Sequence, residues 1–187
     1  MTHELLPASA RLAQPWKNGG GVTREIAAHP PGADLASFDW RISTATVAAA
    51  GPFSRFPGVD RLLLVLEGAL SLRIDGAPPQ LLRPEDPALA FPGDIPVEAE
   101  LTGGPVTDLN IMVRRGAWTA QVQRVTVTGP MWLPAECGVQ IAMALGALSF
   151  DGAAMQCVDA VRFDGALRFE PIAEPVELIL VRLSGAT

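Results

Sequence analysis

Arg61-Leu62-Leu63-Leu64-Val65-Leu66-Glu67-Gly68-Ala69-Leu70-Ser71-Leu72-Arg73-Ile74 decides the fold class. Two short apolar runs meet at Glu67-Gly68, a pair that reads as a tight hairpin turn. The second run ends at Asp75-Gly76-Ala77-Pro78-Pro79, a further turn. The same punctuation recurs along the chain and predicts strands over residues 23–28, 39–47, 61–66, 69–74, 88–91, 97–101, 107–113, 120–127, 139–145, 155–160, 167–169 and 176–183. No convincing amphipathic helix interrupts them, so the chain reads as all-β, a barrel or sandwich.

With 187 residues, 49% of them hydrophobic and 18% charged, the chain is long enough to bury a substantial core. Its composition shifts near residues 116–132. The earlier part holds a triple glycine, both histidines, both asparagines and the single lysine; the later part has plainer strands rich in Ala, Val and Leu. The expected division is therefore 1–118, carrying the pocket, and 119–187, a second and smaller β-unit packed on it.

A net charge of −6 with dispersed arginines opposes a nucleic-acid groove, which needs clustered cations, and an anionic membrane surface. No apolar run reaches the roughly 18 to 20 residues a bilayer span requires. Met1-Thr2-His3-Glu4-Leu5-Leu6 lacks the basic-then-apolar pattern of a secretory signal, so a cytoplasmic location is expected. Cys137 and Cys157 are too few for a disulfide framework and form no zinc pattern; both read as buried small hydrophobes.

The chemistry concentrates in Pro15-Trp16-Lys17-Asn18-Gly19-Gly20-Gly21-Val22-Thr23-Arg24-Glu25-Ile26. Lys17 is a compact, rotatable cation in a chain that otherwise uses arginine, the planar fork. The glycines lack the phosphate-loop spacing and lead into a strand rather than a helix, which argues against nucleotide binding. They still permit an anion-binding nest of backbone N–H groups, or a close approach of chain to ligand. In Asp39-Trp40-Arg41-Ile42-Ser43-Thr44-Ala45, strand parity puts Arg41, Ser43 and Ala45 on one face. In Asp108-Leu109-Asn110-Ile111-Met112 it groups Asp108, Asn110 and Met112, and a strand asparagine must satisfy its amide through backbone or ligand. Parity likewise decides whether Arg24 faces inward, while Arg114 and Arg115 read as solvated at a strand end. Histidine is scarce and no nucleophile elbow is present, so catalytic constellations are thin.

Ser54-Arg55-Phe56-Pro57-Gly58-Val59-Asp60-Arg61, followed by Val65-Leu66-Glu67-Gly68, resembles the first cupin motif, and Phe91-Pro92-Gly93-Asp94-Ile95-Pro96 resembles the second. Carried over position by position, the metal ligands become Ser54, Phe56, Arg61 and Pro96, a poor donor set for any metal. The resemblance therefore implies a metal-free barrel, in which Arg61 is left either to grip a ligand carboxylate or to pair with Asp60 or another acid at the rim.

Together with Trp40-Arg41-Ile42-Ser43 and Gly51-Pro52-Phe53, these blocks resemble the HutD/Ves family over roughly residues 10 to 116. That resemblance implies a cupin-like β-barrel or jelly roll, two such units in one chain (a bicupin), and association with bacterial histidine utilisation. The expectation is a non-catalytic, metal-independent protein that binds a small carboxylate-bearing ligand, such as the breakdown intermediate formylglutamate, and regulates the pathway. The ligand set is Lys17, Asn18, Arg24, Arg41, Ser43, Ser54, Arg61 and Asn110, with no catalytic residue, no metal ligand and no cofactor. The alternatives are a cupin-type isomerase or hydrolase using Lys17 as acid or base, and a protein-interaction scaffold. Strand edges leave room for a homodimer.

Overall fold

The computed structural model describes residues 2–186, which form strands and one 3-10 turn (Ala8–Ala10). In chain order the strands are β1 (His3–Leu6), β2 (Ala13–Pro15), β3 (Gly21–His29), β4 (Trp40–Val47), β5 (Gly51–Pro52), β6 (Val59–Glu67) and β7 (Leu70–Ile74). They continue as β8 (Gln80–Leu82), β9 (Leu89–Pro92), β10 (Val97–Leu101), β11 (Val106–Arg114), β12 (Trp118–Val127) and β13 (Met131–Leu133). The last are β14 (Val139–Ala144), β15 (Leu148–Phe150), β16 (Ala153–Met155), β17 (Ala160–Phe163), β18 (Leu167–Pro171) and β19 (Val176–Gly185). Among the described residues no helix is long and apolar enough to cross a membrane.

The chain divides into two compact units, Leu12–Trp118 and the pair of segments Met1–Arg11 and Thr119–Thr187. The first of these units ends at Trp118. Residues 1–11, expected in that unit, belong to the other instead, because β1 pairs antiparallel with β17 from His3↔Phe163 to Leu6↔Ala160.

In Leu12–Trp118 one sheet runs β2-β3-β4-β11-β6-β9 and the other β5-β10-β7-β8. Leu63, Leu70 and Leu72, each 0% exposed, pack with Val65, Phe91 and Val97 between the strands. Full burial of each leucine contributes about 2 kcal/mol. In the other unit the sheets run β1-β17-β14-β19-β12 and β13-β18-β15-β16. Adding eight to each label turns β4-β11-β6-β9 into β12-β19-β14-β17, and β5-β10-β7-β8 into β13-β18-β15-β16. The same eight-strand plan is thus laid down twice, a repeat that the residues themselves do not display. In the second unit the interior is filled by Phe150, Met155, Phe163, Phe169, Leu178 and Leu180.

Three expectations are corrected. Glu67-Gly68 is not a hairpin: β6 pairs with β11 and β9, while β7 pairs with β10 and β8, so this turn carries the chain from one sheet to the other. Asp75-Gly76 does close a hairpin, between β7 and β8, with both residues at positive φ (48° and 74°). The single strand expected over 155–160 is two, β16 and β17, separated by a turn in which the Asp159 carboxylate accepts from the Gln156 N–H at 2.9 Å. Cys157 sits in that turn and Cys137 in the loop before β14, so both are exposed rather than buried.

Candidate functional site

The site grows from strand parity. On the inward face of the first unit, β4 presents Arg41, Ser43 and Ala45, β11 presents Asp108, Asn110 and Met112, and β6 presents Arg61, Leu63 and Val65. Their register makes three rows: Arg41–Met112–Arg61, Ser43–Asn110–Leu63 and Ala45–Asp108–Val65. Leu63 and Val65 belong to the apolar core, so one side of this lattice is packed and dry. The other side opens into a cavity of about 590 Å³ that all the polar members of the lattice line.

Both arginines are only 5% exposed. Arg41 donates from Nε to Glu25 Oε2 at 2.7 Å and from Nη1 to Ser43 Oγ at 3.4 Å. Arg61 donates from Nε to Asn110 Oδ1 at 3.3 Å and from Nη1 to the Ser54 carbonyl at 3.4 Å. Neither Nη2 has an acceptor among the described residues. The Arg61 guanidinium stands 5.1, 5.5 and 5.0 Å from the ring centres of Phe53, Phe56 and Phe91, which fix it by cation–π contact. Burial lowers its pKa to about 10, partly opposed by the charge of Asp108. Burial likewise raises the Asp108 carboxyl to about 7 despite Arg61. Asp108 is 1% exposed, and its Oδ1 has no hydrogen-bond partner.

The rim is the turn joining β2 to β3. The N–H of Gly19 donates to the Trp16 carbonyl at 3.0 Å and that of Gly20 to Asn18 Oδ1 at 3.0 Å. These donors are spent inside the turn, so the anion-nest reading of the glycines fails. Gly21 serves the alternative of close approach, though to protein: a Cβ there would lie 2.7 Å from the Thr46 carbonyl and 3.0 Å from the Trp16 ring. Trp16 is also tied by its Nε1–H to Thr23 Oγ1 at 2.8 Å. Lys17 is exposed on this turn and lines the cavity mouth.

Of the expected ligand set, Lys17, Asn18, Arg41, Ser43, Ser54, Arg61 and Asn110 all line the one cavity. Arg24 does not: it is exposed between the inward positions Thr23 and Glu25, on the outward parity of β3. Two groups outside that set matter. Asp108 shares the face assigned to Asn110, yet the sequence does not disclose that its carboxylate lacks a partner. Glu25 reaches the inward side next to a bulge in β3, where the register shifts between Glu25 and Ala27. The surface pair foreseen for Arg61 with Asp60 goes to Arg115, which also binds Asp94 at 2.9 Å. Arg115 is exposed at the strand end, as expected, but paired; Arg114 is half-buried and donates to the Phe38 carbonyl at 3.0 Å. The residues at the cupin ligand positions do not fit a divalent metal, because a guanidinium held by three phenyl rings occupies one of them.

The model of the HutD family matches residues 8–174. The chain belongs to the HutD family. It is 40% identical over 121 residues to an uncharacterized 21.2 kDa protein in the hutC 3' region of Pseudomonas putida, covering 64% of this chain and 63% of that protein. Protein Ves of Cronobacter sakazakii is 43% identical over 110 residues, covering 58% of this chain and 59% of Ves. The matched stretches thus span less than two thirds of either relative. HutD from Pseudomonas fluorescens SBW25 superposes with a TM-score of 0.86 at 26% identity, covering 100% of both chains. A cupin 2 conserved barrel domain protein from Leptotrichia buccalis gives 0.61 at 11% identity over 88% of this chain and 89% of that one, a likeness of fold. The HutD-family fold is accordingly cupin-like and all-β.

Proposed function

We propose that this HutD-family chain binds a small carboxylate-bearing ligand in the cavity of its first unit without turning it over, and regulates histidine utilisation by sensing a breakdown intermediate such as formylglutamate. The observation that carries the reading is the pair of buried arginines, Arg41 and Arg61, facing one cavity with an Nη2 free on each. Guanidinium forks recognise carboxylates through paired N–H bonds, and burial strengthens them. The arginines stand on strands flanking β11, so at sheet spacing their Cα atoms are roughly 10 Å apart, a span suited to the two ends of a dicarboxylate. Lys17 at the mouth adds a rotatable cation that draws anions toward the opening. Its exposure on the rim supports steering over acid–base chemistry. The P. putida relative's place in the hutC 3' region supports the link to histidine utilisation.

Calorimetric titration with formylglutamate, urocanate, histidine and glutamate tests the proposal. Saturable binding by at least one is expected, weakened about tenfold or more by Arg61→Met, since a charged hydrogen bond is worth roughly that factor. Absence of saturable binding by all four sinks the ligand reading, and turnover of any of them that vanishes in Lys17→Ala restores the enzyme reading.

A further inference from the structure

Asp108 is a carboxyl in a place where a negative charge is costly. It lies on the central strand β11, is 1% exposed, lines the cavity, and its Oδ1 has no hydrogen-bond partner. Its neighbours across the strands are the apolar side chains of Ala45 and Val65, and the facing sheet adds Leu70, Leu72, Val97 and Ala99, all buried. The charged groups that share the cavity are Arg61 on β6, Arg41 on β4 and Lys17 at the mouth, with Glu25 on β3 paired to Arg41. Among the described residues no hydrogen bond or ion pair joins any of them to Asp108. A carboxyl so placed is held far more cheaply as the neutral acid than as the anion, and burial raises its pKa to about 7. It can therefore exchange its proton near neutrality, where an exposed aspartate is fully ionised.

Asn110 links this carboxyl to the cation. It stands two residues along the same face, roughly 7 Å at the rise of a strand, and its Oδ1 accepts from Arg61 Nε at 3.3 Å. The Arg61 guanidinium is thus near enough for its charge and that of Asp108 to act on one another. An anion on the free Nη2 of Arg61 enters the same enclosed space as the Asp108 carboxyl. Two negative charges roughly 7 Å apart at the dielectric of a protein site repel strongly enough to cost well over tenfold in affinity. A neutral acid exerts no such repulsion.

We propose that Asp108 is a proton gate on the cavity: an anion binds at Arg61 together with one proton from solvent, which the Asp108 carboxylate takes up, and loss of that proton weakens the hold on the anion. The gate rests on the carboxylate-binding reading of the same cavity and adds a regulation to it. The proton offsets one incoming negative charge, so occupancy follows pH as well as ligand concentration.

Calorimetric titration of the full chain with N-formylglutamate and with glutarate, in buffers of different ionisation enthalpy, counts the protons. Neither probe carries a group that titrates appreciably between pH 6.5 and 8.5. Uptake of about one proton per bound probe is expected at pH 8.5, and Kd is expected to rise roughly twentyfold from pH 6.5 to 8.5. Asp108→Asn, which keeps the side chain's shape without the charge, is expected to take up no proton and to hold one affinity across that range. Infrared difference spectra of the wild-type protein at pH 8.5 are expected to gain the carbonyl stretch of a protonated carboxyl when a probe is added. A merely structural Asp108 would not give that band, and the measurement stands even if the variant folds poorly. Binding without proton uptake overturns the gate and leaves carboxylate binding intact. Proton uptake that persists in Asp108→Asn overturns it too, because another group then takes the proton. If neither probe binds at either pH the gate falls, and the four-ligand titration above decides the carboxylate reading separately.

Discussion

Arg61 stands where the resemblance to the first cupin motif would put a metal ligand, and it carries a cation instead. Its planar cation is fixed on three phenyl rings and one amide, so it meets a ligand already oriented. An ammonium cannot stack or fork in this way, and Arg61→Lys is expected to lose about tenfold or more in ligand affinity with little change in melting temperature. Asp108 makes the pH dependence of folding readable. Its folded pKa of about 7 lies above the unfolded 3.8, so between those values the native state holds a proton that the unfolded chain has lost. Stability contributed by this proton is complete below about pH 4, falls as pH rises, and is gone above 7, a change on the order of 4 kcal/mol. The charged groups around it are Arg61 on β6, Arg41 on β4 with its partner Glu25 on β3, and Lys17 at the mouth; Arg61, lowered by burial to about 10, stays charged through that window. Urea unfolding from pH 4.5 to 8 is expected to show the decline in the wild type and a flatter profile in Asp108→Asn.

At the scale of the element, the corner between β6 and β7 separates the two sheets of the first unit. Gly68 turns there at φ +84°, and a Cβ would lie 2.9 Å from the Pro105 carbonyl. Gly68→Ala is expected to cost about 1–3 kcal/mol, read as a lower melting temperature, from left-handed strain and the contact together. The corner also explains what the sequence could not reveal. Glu67-Gly68 has the composition of a hairpin, but which sheet a strand joins depends on partners far along the chain, here Val106–Arg114 for β6 and Val97–Leu101 for β7. The long inward strands β4 and β11 were legible because a period of two assigns every side chain a face, and so Arg41, Ser43, Asp108 and Asn110 fell on the right one. Strands of three or four residues, such as β1, β2, β13 and β15, are too short to carry a period and escaped notice. Parity reports a face and never a partner, which is why the orphaned oxygen of Asp108 and the pairing of Arg41 with Glu25 needed coordinates.

For the whole molecule, the decisive fact is that two units share one strand plan but differ in filling. β1 lies at one end of the order β1-β17-β14-β19-β12 and covers the flank of β17. Removing residues 1–11 is expected to uncover that edge and raise light scattering on heating, because an unpaired strand templates association. The cavity lining begins at Gln14, so the truncated chain should keep its ligand affinity as measured by titration. The repeat also gives the chain an internal reference. One copy spends its interior on charge, tolerating the unpaired acceptor and the desolvated cations that a site demands; the other is filled mainly by apolar side chains, with Gln140 and Asp159 its buried polar residues among those described. Such a division of labour lets mutation retune the hollow copy toward a new ligand without drawing on the packing of the filled one. It also supplies the blueprint for undoing the site: the side chains that close the filled copy are nature's own recipe for sealing the hollow one.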